Sequence, residues 1–97
     1  MNIAEKEHQR QVRDLGCIAC IVAFDVFSPC DIHHILSGGR RIDEYSVIGL
    51  CPRHHRGGES GGKFVSRHPW KARFILEYGT EDELLAKTQQ LLNKRII

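Results

Sequence analysis

No apolar run in this chain approaches the roughly 20 residues that a membrane-spanning helix needs, which excludes a helical membrane protein. Met1 to Arg13 is polar and charged and lacks the apolar stretch of a secretory signal, so a cytoplasmic location is expected. Internal repeats, low-complexity linkers and breaks in composition are also missing, and the expectation is one domain over residues 1–97. Size is lacking too. A chain of 97 residues buries a modest share of its surface, so its apolar core is marginal and a structural metal is a natural supplement. Strong overall charge is absent, the net value being +2.

What is there is concentrated. Residues 33 to 73 hold eight Lys or Arg against three acids, and five of the six histidines fall in the same stretch. A positive field at that place attracts a polyanion such as nucleic acid, although a run of charges is also the ordinary make-up of a solvated face. Four cysteines in a reducing compartment, with histidines close by, favour metal thiolates over disulfides.

The order of elements can be read coarsely. Residues 3 to 15 are rich in helix formers with sparse apolar positions at Ile3, Val12 and Leu15, and Gly16 is placed to end the helix; such a helix packs loosely or against a partner. Apolar residues at Ile21, Val22, Phe24, Val26 and Phe27 fit a helical turn or an irregular strand equally well, until Ser28-Pro29 breaks the chain. Asp31 to Leu36 reads as a strand ended by Ser37-Gly38-Gly39, and Ser46 to Leu50 as a second strand. The link between them is too short for a crossover, so the pair is antiparallel. Pro52 suits the first turn of a helix. Gly57 to Lys63 has four glycines in seven residues and reads as a flexible surface loop. Pro69 opens a further helix with Trp70, Phe74 and Tyr78 on one face and Gly79 at its end. Thr80 and Glu83 then form a capping box for a last helix with Leu84, Leu85, Leu91 and Leu92 as its apolar stripe. The parts are a helix over 1–16, a core over 17–56, a glycine-rich loop over 57–68 and two helices over 69–95, an α+β arrangement.

Zinc takes four ligands in a tetrahedron of thiolate and imidazole, and ligand pairs two residues apart meet that geometry readily. Cys17-x-x-Cys20 and Cys51-x-x-His54 supply two such pairs, a strong signal for a structural zinc in a small chain. Cys30 is a competing candidate for the place of His54, or a small apolar residue behind the strand. This assignment leaves His33, His34 and His55 without a task. Neighbours on a strand point to opposite faces, so one of His33 and His34 is free to ligate an ion and the other to take a proton. His8 reads as a surface residue, and His68 before Pro69 as a helix cap.

The run D-I-H-H-I and the later S-V-I-G-L-C-P-R-H-H resemble the HNH, or His-Me finger, endonucleases, whose core is two antiparallel strands and a helix around one divalent ion. From Leu15 to Leu92 the chain more closely resembles the bacteriophage recombination-enhancement (Ref) family of RecA-dependent nucleases, through L-G-C-I-A-C, the histidine doublet, L-C-P-x-H-H-R, a glycine-rich turn, a further histidine and Y-G-T-E. The resemblance implies a zinc-stabilised ββα-metal core with flanking helices and phosphodiester hydrolysis in DNA. It places metal ligands at His33, His55 and His68, and the general base at His34. It further implies Mg or Mn as the catalytic ion, a RecA filament as partner, a phage or prophage origin in a bacterial host, and Arg40, Arg41, Arg53, Arg56 and Lys63 on the DNA backbone. Ser46 stands where the asparagine of the HNH name is usual, and the loop from Gly57 to Arg67 makes the reach from His55 to His68 long. A zinc-stabilised DNA- or protein-binding module without catalysis is the competing reading, with no work for His34. A degenerate nuclease within a larger phage complex is a third.

Overall fold

The computed structural model describes residues 1–95. Helix α1 (Ile3–Leu15) begins at a capping box, with the Asn2 side chain accepting from the Glu5 amide at 2.8 Å and the Glu5 carboxylate accepting from the Asn2 amide at 2.8 Å. It ends at Gly16, whose φ of +95° suits glycine, and where a β-carbon would sit 2.8 Å from the Phe27 ring. Helix α1 is not loose. It buries Val12 and Gln9 and packs across the sheet and the last helix.

Helix α2 (Ile18–Phe24) resolves the ambiguous apolar segment as helix, with Cys17 as its cap. Only its first turn is buried: Ile18, Ala19 and Cys20 face the core, while Val22 and Phe24, and Val26 and Phe27 beyond the helix, are exposed. Strand β1 (Asp31–His34) then pairs antiparallel with β4 (Val47–Leu50), His33 opposite Ile48 and His34 opposite Val47. The first strand is shorter than the sequence suggested. The chain bends at buried Ile35 and enters a separate ribbon, β2 (Leu36–Ser37) with β3 (Arg40–Arg41), turned by Gly38 and Gly39 at positive φ.

The sheet divides the interior by the period-two rule of a strand. Val47 joins Val12, Leu92 and Ile32 on the α1 side. Ile48 and Leu50 join Cys17, Ile18, Phe74, Tyr78 and Leu84 on the other. His34 shares the α1 face with Ile32 and Val47, and His33 shares the opposite face with Ile48, so the pleat assigns the two histidines to different environments.

After β4 comes the single turn α3 (Pro52–His55), capped by Cys51 with Pro52 first in the helix. The glycine-rich loop is pinned at its base. Gly58 lies so close to Arg53 and Phe64 that a β-carbon would fall 2.2 Å from one carbonyl and 2.1 Å from the other, whereas Gly61 and Gly62 at the tip have open space around them. Helix α4 (Lys71–Tyr78) buries Phe74 and Tyr78, but Trp70 does not share their face; it precedes the helix and stays 42% exposed. Helix α5 (Glu81–Arg95) starts at a capping box in which Thr80 and Glu83 exchange two bonds of 3.1 Å, and buries Leu84 and Leu92. The protein is therefore a small α+β fold with helices flanking a two-stranded sheet and a cysteine–histidine cluster. Among the described residues no helix is long and apolar enough to cross a membrane.

Candidate metal centres

Two groups of ligand-type side chains converge in this fold. Cys17 and Cys20 come from the cap and first turn of α2, and Cys51 and His54 from the cap and body of α3. Their four donor atoms lie within 4.8 Å of one another, and all four residues are buried. His54 Nδ1 is 3.5 Å from Cys17 Sγ, 3.4 Å from Cys20 Sγ and 3.2 Å from Cys51 Sγ, and the Cys20 and Cys51 sulfurs are 3.9 Å apart. A tetrahedral zinc with these ligand types has sulfur–nitrogen edges of about 3.6 Å and sulfur–sulfur edges of about 3.8 Å. These four separations are close to the edges of such a tetrahedron.

The opposite nitrogen of His54 is also engaged. Its Nε2 lies 3.0 Å from Tyr78 Oη and 3.2 Å from the Lys63 carbonyl, and the Tyr78 hydroxyl donates to that carbonyl at 2.8 Å. With a hydrogen on Nε2, the Nδ1 lone pair faces the sulfurs, the usual outer-sphere arrangement of a metal-bound histidine. Burial raises the thiols of Cys17 and Cys20 above the ordinary value and lowers His54, so these groups gain from a cation that displaces the thiol protons. Phe24 and Phe64 lie against the His54 ring, with centroids 6.4 and 5.0 Å away. This buried cluster can hold a structural zinc. Cys30 stands outside it, half-buried, with its sulfur 3.8 Å from the Arg13 carbonyl.

His33, His55 and His68 form the second group, again with donor atoms within 4.8 Å of one another. His33 Nδ1 and His55 Nε2 are 3.2 Å apart; the His68 ring centroid lies 5.4 Å from that of His33 and 5.2 Å from that of His55. The long loop is no obstacle, because the chain returns alongside α3. The Arg67 amide donates to the His54 carbonyl at 2.7 Å and the His68 amide to the His55 carbonyl at 2.9 Å, which sets His68 beside His55. Burial, then the neighbouring His33 and His68, pushes His55 down to about 4; burial and Arg67 lower His68. With His55 and His68 held toward the neutral form, their rings present lone pairs that the single hydrogen bond within the trio cannot all satisfy. A divalent ion can, so the donor set fits one. His33 is buried while His55 and His68 are partly open, so this centre meets solvent where the sulfur-rich one is closed.

The carboxylates bordering the histidines were not legible in the sequence. Glu81, the first residue of α5, places Oε2 3.4 Å from His33 Nε2, too poorly aligned for a hydrogen bond, and its other oxygen accepts from Arg67. Burial alone would raise Glu81, but the partners His33 and Arg67 outweigh it and hold the carboxyl down to about 2. On the other face of the sheet, His34 Nε2 lies 3.0 Å from Glu44 Oε2. Gln9 of α1, only 3% exposed, donates to the same oxygen at 3.0 Å and to the Glu44 carbonyl at 2.9 Å. A polar residue on the apolar stripe of α1 was the one hint in the sequence. At the place of the usual asparagine, the Ser46 carbonyl accepts from the Ile35 amide at 3.0 Å and its amide donates to Asp43 at 2.7 Å.

Arg40, Arg41, Arg53, Arg56 and Lys63 are all exposed. The Arg53 guanidinium lies 3.9 Å over the Phe64 ring, which stiffens it without neutralising it. Against known sequences, a family model described as recombination enhancement, RecA-dependent nuclease matches residues 2–93, so the likeness takes in α1 as well. No curated protein matches the chain.

Proposed function

The chain belongs to the recombination-enhancement family of RecA-dependent nucleases, and from that premise we propose that it is a metal-dependent DNA endonuclease of the HNH, or His-Me finger, type. Its substrate in this reading is DNA on which a RecA filament has formed, in phage or prophage recombination. The observation that carries the proposal is the convergence of His33, His55 and His68 on one side of β1 and β4 while the adjacent His34 stands on the other side of the same strand.

The reaction is hydrolysis of a phosphodiester. His34, through its Nδ1, takes a proton from water as the water oxygen bonds to phosphorus. The bond from phosphorus to one ester oxygen breaks, and that oxygen acquires a proton from solvent. An imidazole suits this task, and general-base assistance of this kind contributes about 10²- to 10⁴-fold. His33, His55 and His68 would hold the catalytic ion; when bound, a divalent ion supplies a positive charge that stabilises charge developing on the phosphate. Three imidazoles suit Mn better than Mg, which prefers oxygen donors. Arg40, Arg41, Arg53, Arg56 and Lys63 grip the phosphate backbone, which gives affinity with little base selectivity.

The test measures strand cleavage of DNA carrying a RecA filament, formed from RecA, a single-stranded oligonucleotide and ATP, with Mn or Mg, by wild-type protein and by His34→Ala. Loss of cleavage in His34→Ala with metal content and thermal midpoint unchanged is the expected result. Binding of DNA without cleavage by the wild type under those conditions would instead favour the zinc-stabilised binding module.

A further inference from the structure

We propose that Glu44 is the positioning residue for His34, fixing the imidazole in the tautomer whose hydrogen is on Nε2 and whose Nδ1 lone pair is free, and that Gln9 of α1 locks Glu44 in place. This inference rests on the reading of His34 as the general base.

The chain of contacts has one direction. Gln9 is a polar side chain buried between α1 and the sheet, where an unpaired amide is costly. Its amide nitrogen donates twice to a single residue, at 2.9 Å to the Glu44 carbonyl and 3.0 Å to Glu44 Oε2. That same Oε2 is 3.0 Å from His34 Nε2. The hydrogen bond from His34, and then that from Gln9, lower Glu44 from its ordinary value, so it is a carboxylate and can only accept. Of the two imidazole nitrogens, the one facing an acceptor must carry the hydrogen. In neutral His34 the other nitrogen is then a bare lone pair, the state that a proton acceptor requires.

The loop before Glu44 supports the same geometry. Asp43 accepts from the amides of Tyr45 at 2.8 Å and Ser46 at 2.7 Å, so the backbone that carries Glu44 is held by its neighbours rather than by the DNA. Arg41 Nη1 is 3.8 Å from the second Glu44 oxygen, at the solvent side, and leaves Oε2 to His34 and Gln9. A fixed carboxylate thus takes the steadying role, while Ser46 bonds to Asp43 instead.

Nuclear magnetic resonance of the zinc-loaded wild-type protein at slightly alkaline pH reads the tautomer directly from long-range proton–nitrogen couplings. The expected spectrum assigns the His34 hydrogen to Nε2; a hydrogen on Nδ1 overturns the proposal whatever the variants do. Glu44→Gln can donate its amide to Nε2 and so turn the tautomer over. It is expected to lower kcat for cleavage of RecA-coated DNA by about 10²-fold or more, with KM and zinc content unchanged. Glu44→Asp, which keeps an ionised acceptor, is expected to recover to within about tenfold of wild type. Wild-type kcat in Glu44→Gln beside a dead His34→Ala overturns this proposal alone. Cleavage that survives His34→Ala removes the base itself, and with it both this role and the preceding mechanism.

Discussion

His54 and His55 are adjacent in one helical turn and fall in different groups of ligand-type side chains, so what each can do depends on where its ring points rather than on its place in the chain. His54 turns inward to three sulfurs and is backed by Tyr78 and the Lys63 carbonyl. Tyr78→Phe removes the hydroxyl while keeping the ring packed against Phe74. Zinc affinity, measured by competition with a chelator, is expected to fall about 10- to 100-fold with the fold retained. The same competition experiment repeated across pH tests the protonation of the ligands. Burial raises the Cys17 and Cys20 thiols in the metal-free protein, so zinc must expel their protons as it binds. Binding therefore releases protons, and apparent affinity is expected to rise as pH rises and to weaken on the acid side; an affinity flat with pH contradicts this.

At the level of elements, helix caps carry much of the architecture. Thr80 and Glu83 fix the start of α5, and the next residue after Thr80 is Glu81, beside His33. Thr80→Ala is expected to cost about 1 kcal/mol by chemical denaturation, with a small loss of activity because Glu81 shifts with the helix end. Elements with local signatures were legible in the sequence: the capped helices α1 and α5, the antiparallel pair around His33 and Val47, and the Cys-x-x-Cys and Cys-x-x-His pairs. The misses share a cause. Helix α1 is tightly packed because Val12 meets Val47 of β4 and Leu92 of α5 while Gln9 bonds to Glu44, contacts that no local pattern reveals. Trp70 has the helical spacing of Phe74 and Tyr78 but lies just outside the helix. His68 reaches the second centre through backbone hydrogen bonds to the end of α3, and Glu44 reaches His34 from beyond the β2–β3 ribbon, ten positions along the chain. The candidate ligands could be named from residue types and from resemblance, whereas their outer partners depend on the folded backbone.

At the scale of the whole molecule, the two faces of a short two-stranded sheet carry different groups of side chains. On one face and at its end lie the sulfur cluster and the three-histidine group; on the other lie His34, Glu44 and Gln9. The exposed cations around them are expected to give DNA binding with a steep salt dependence. Replacing Arg53 and Arg56 by Ala should reduce the slope of log affinity against log salt by roughly one for each phosphate that is no longer neutralised, with little change in base preference. An unchanged slope would place the DNA on another surface. The division of labour between the centres is tested most directly by the metal stoichiometry of purified His55→Ala protein, taken with its thermal midpoint. This variant is expected to keep its thiolate-bound zinc and wild-type stability while losing the ion held by the three histidines and, with it, DNA cleavage. A variant that loses the sulfur-bound zinc and unfolds, or that keeps the wild-type metal content, would contradict the separation of the two centres.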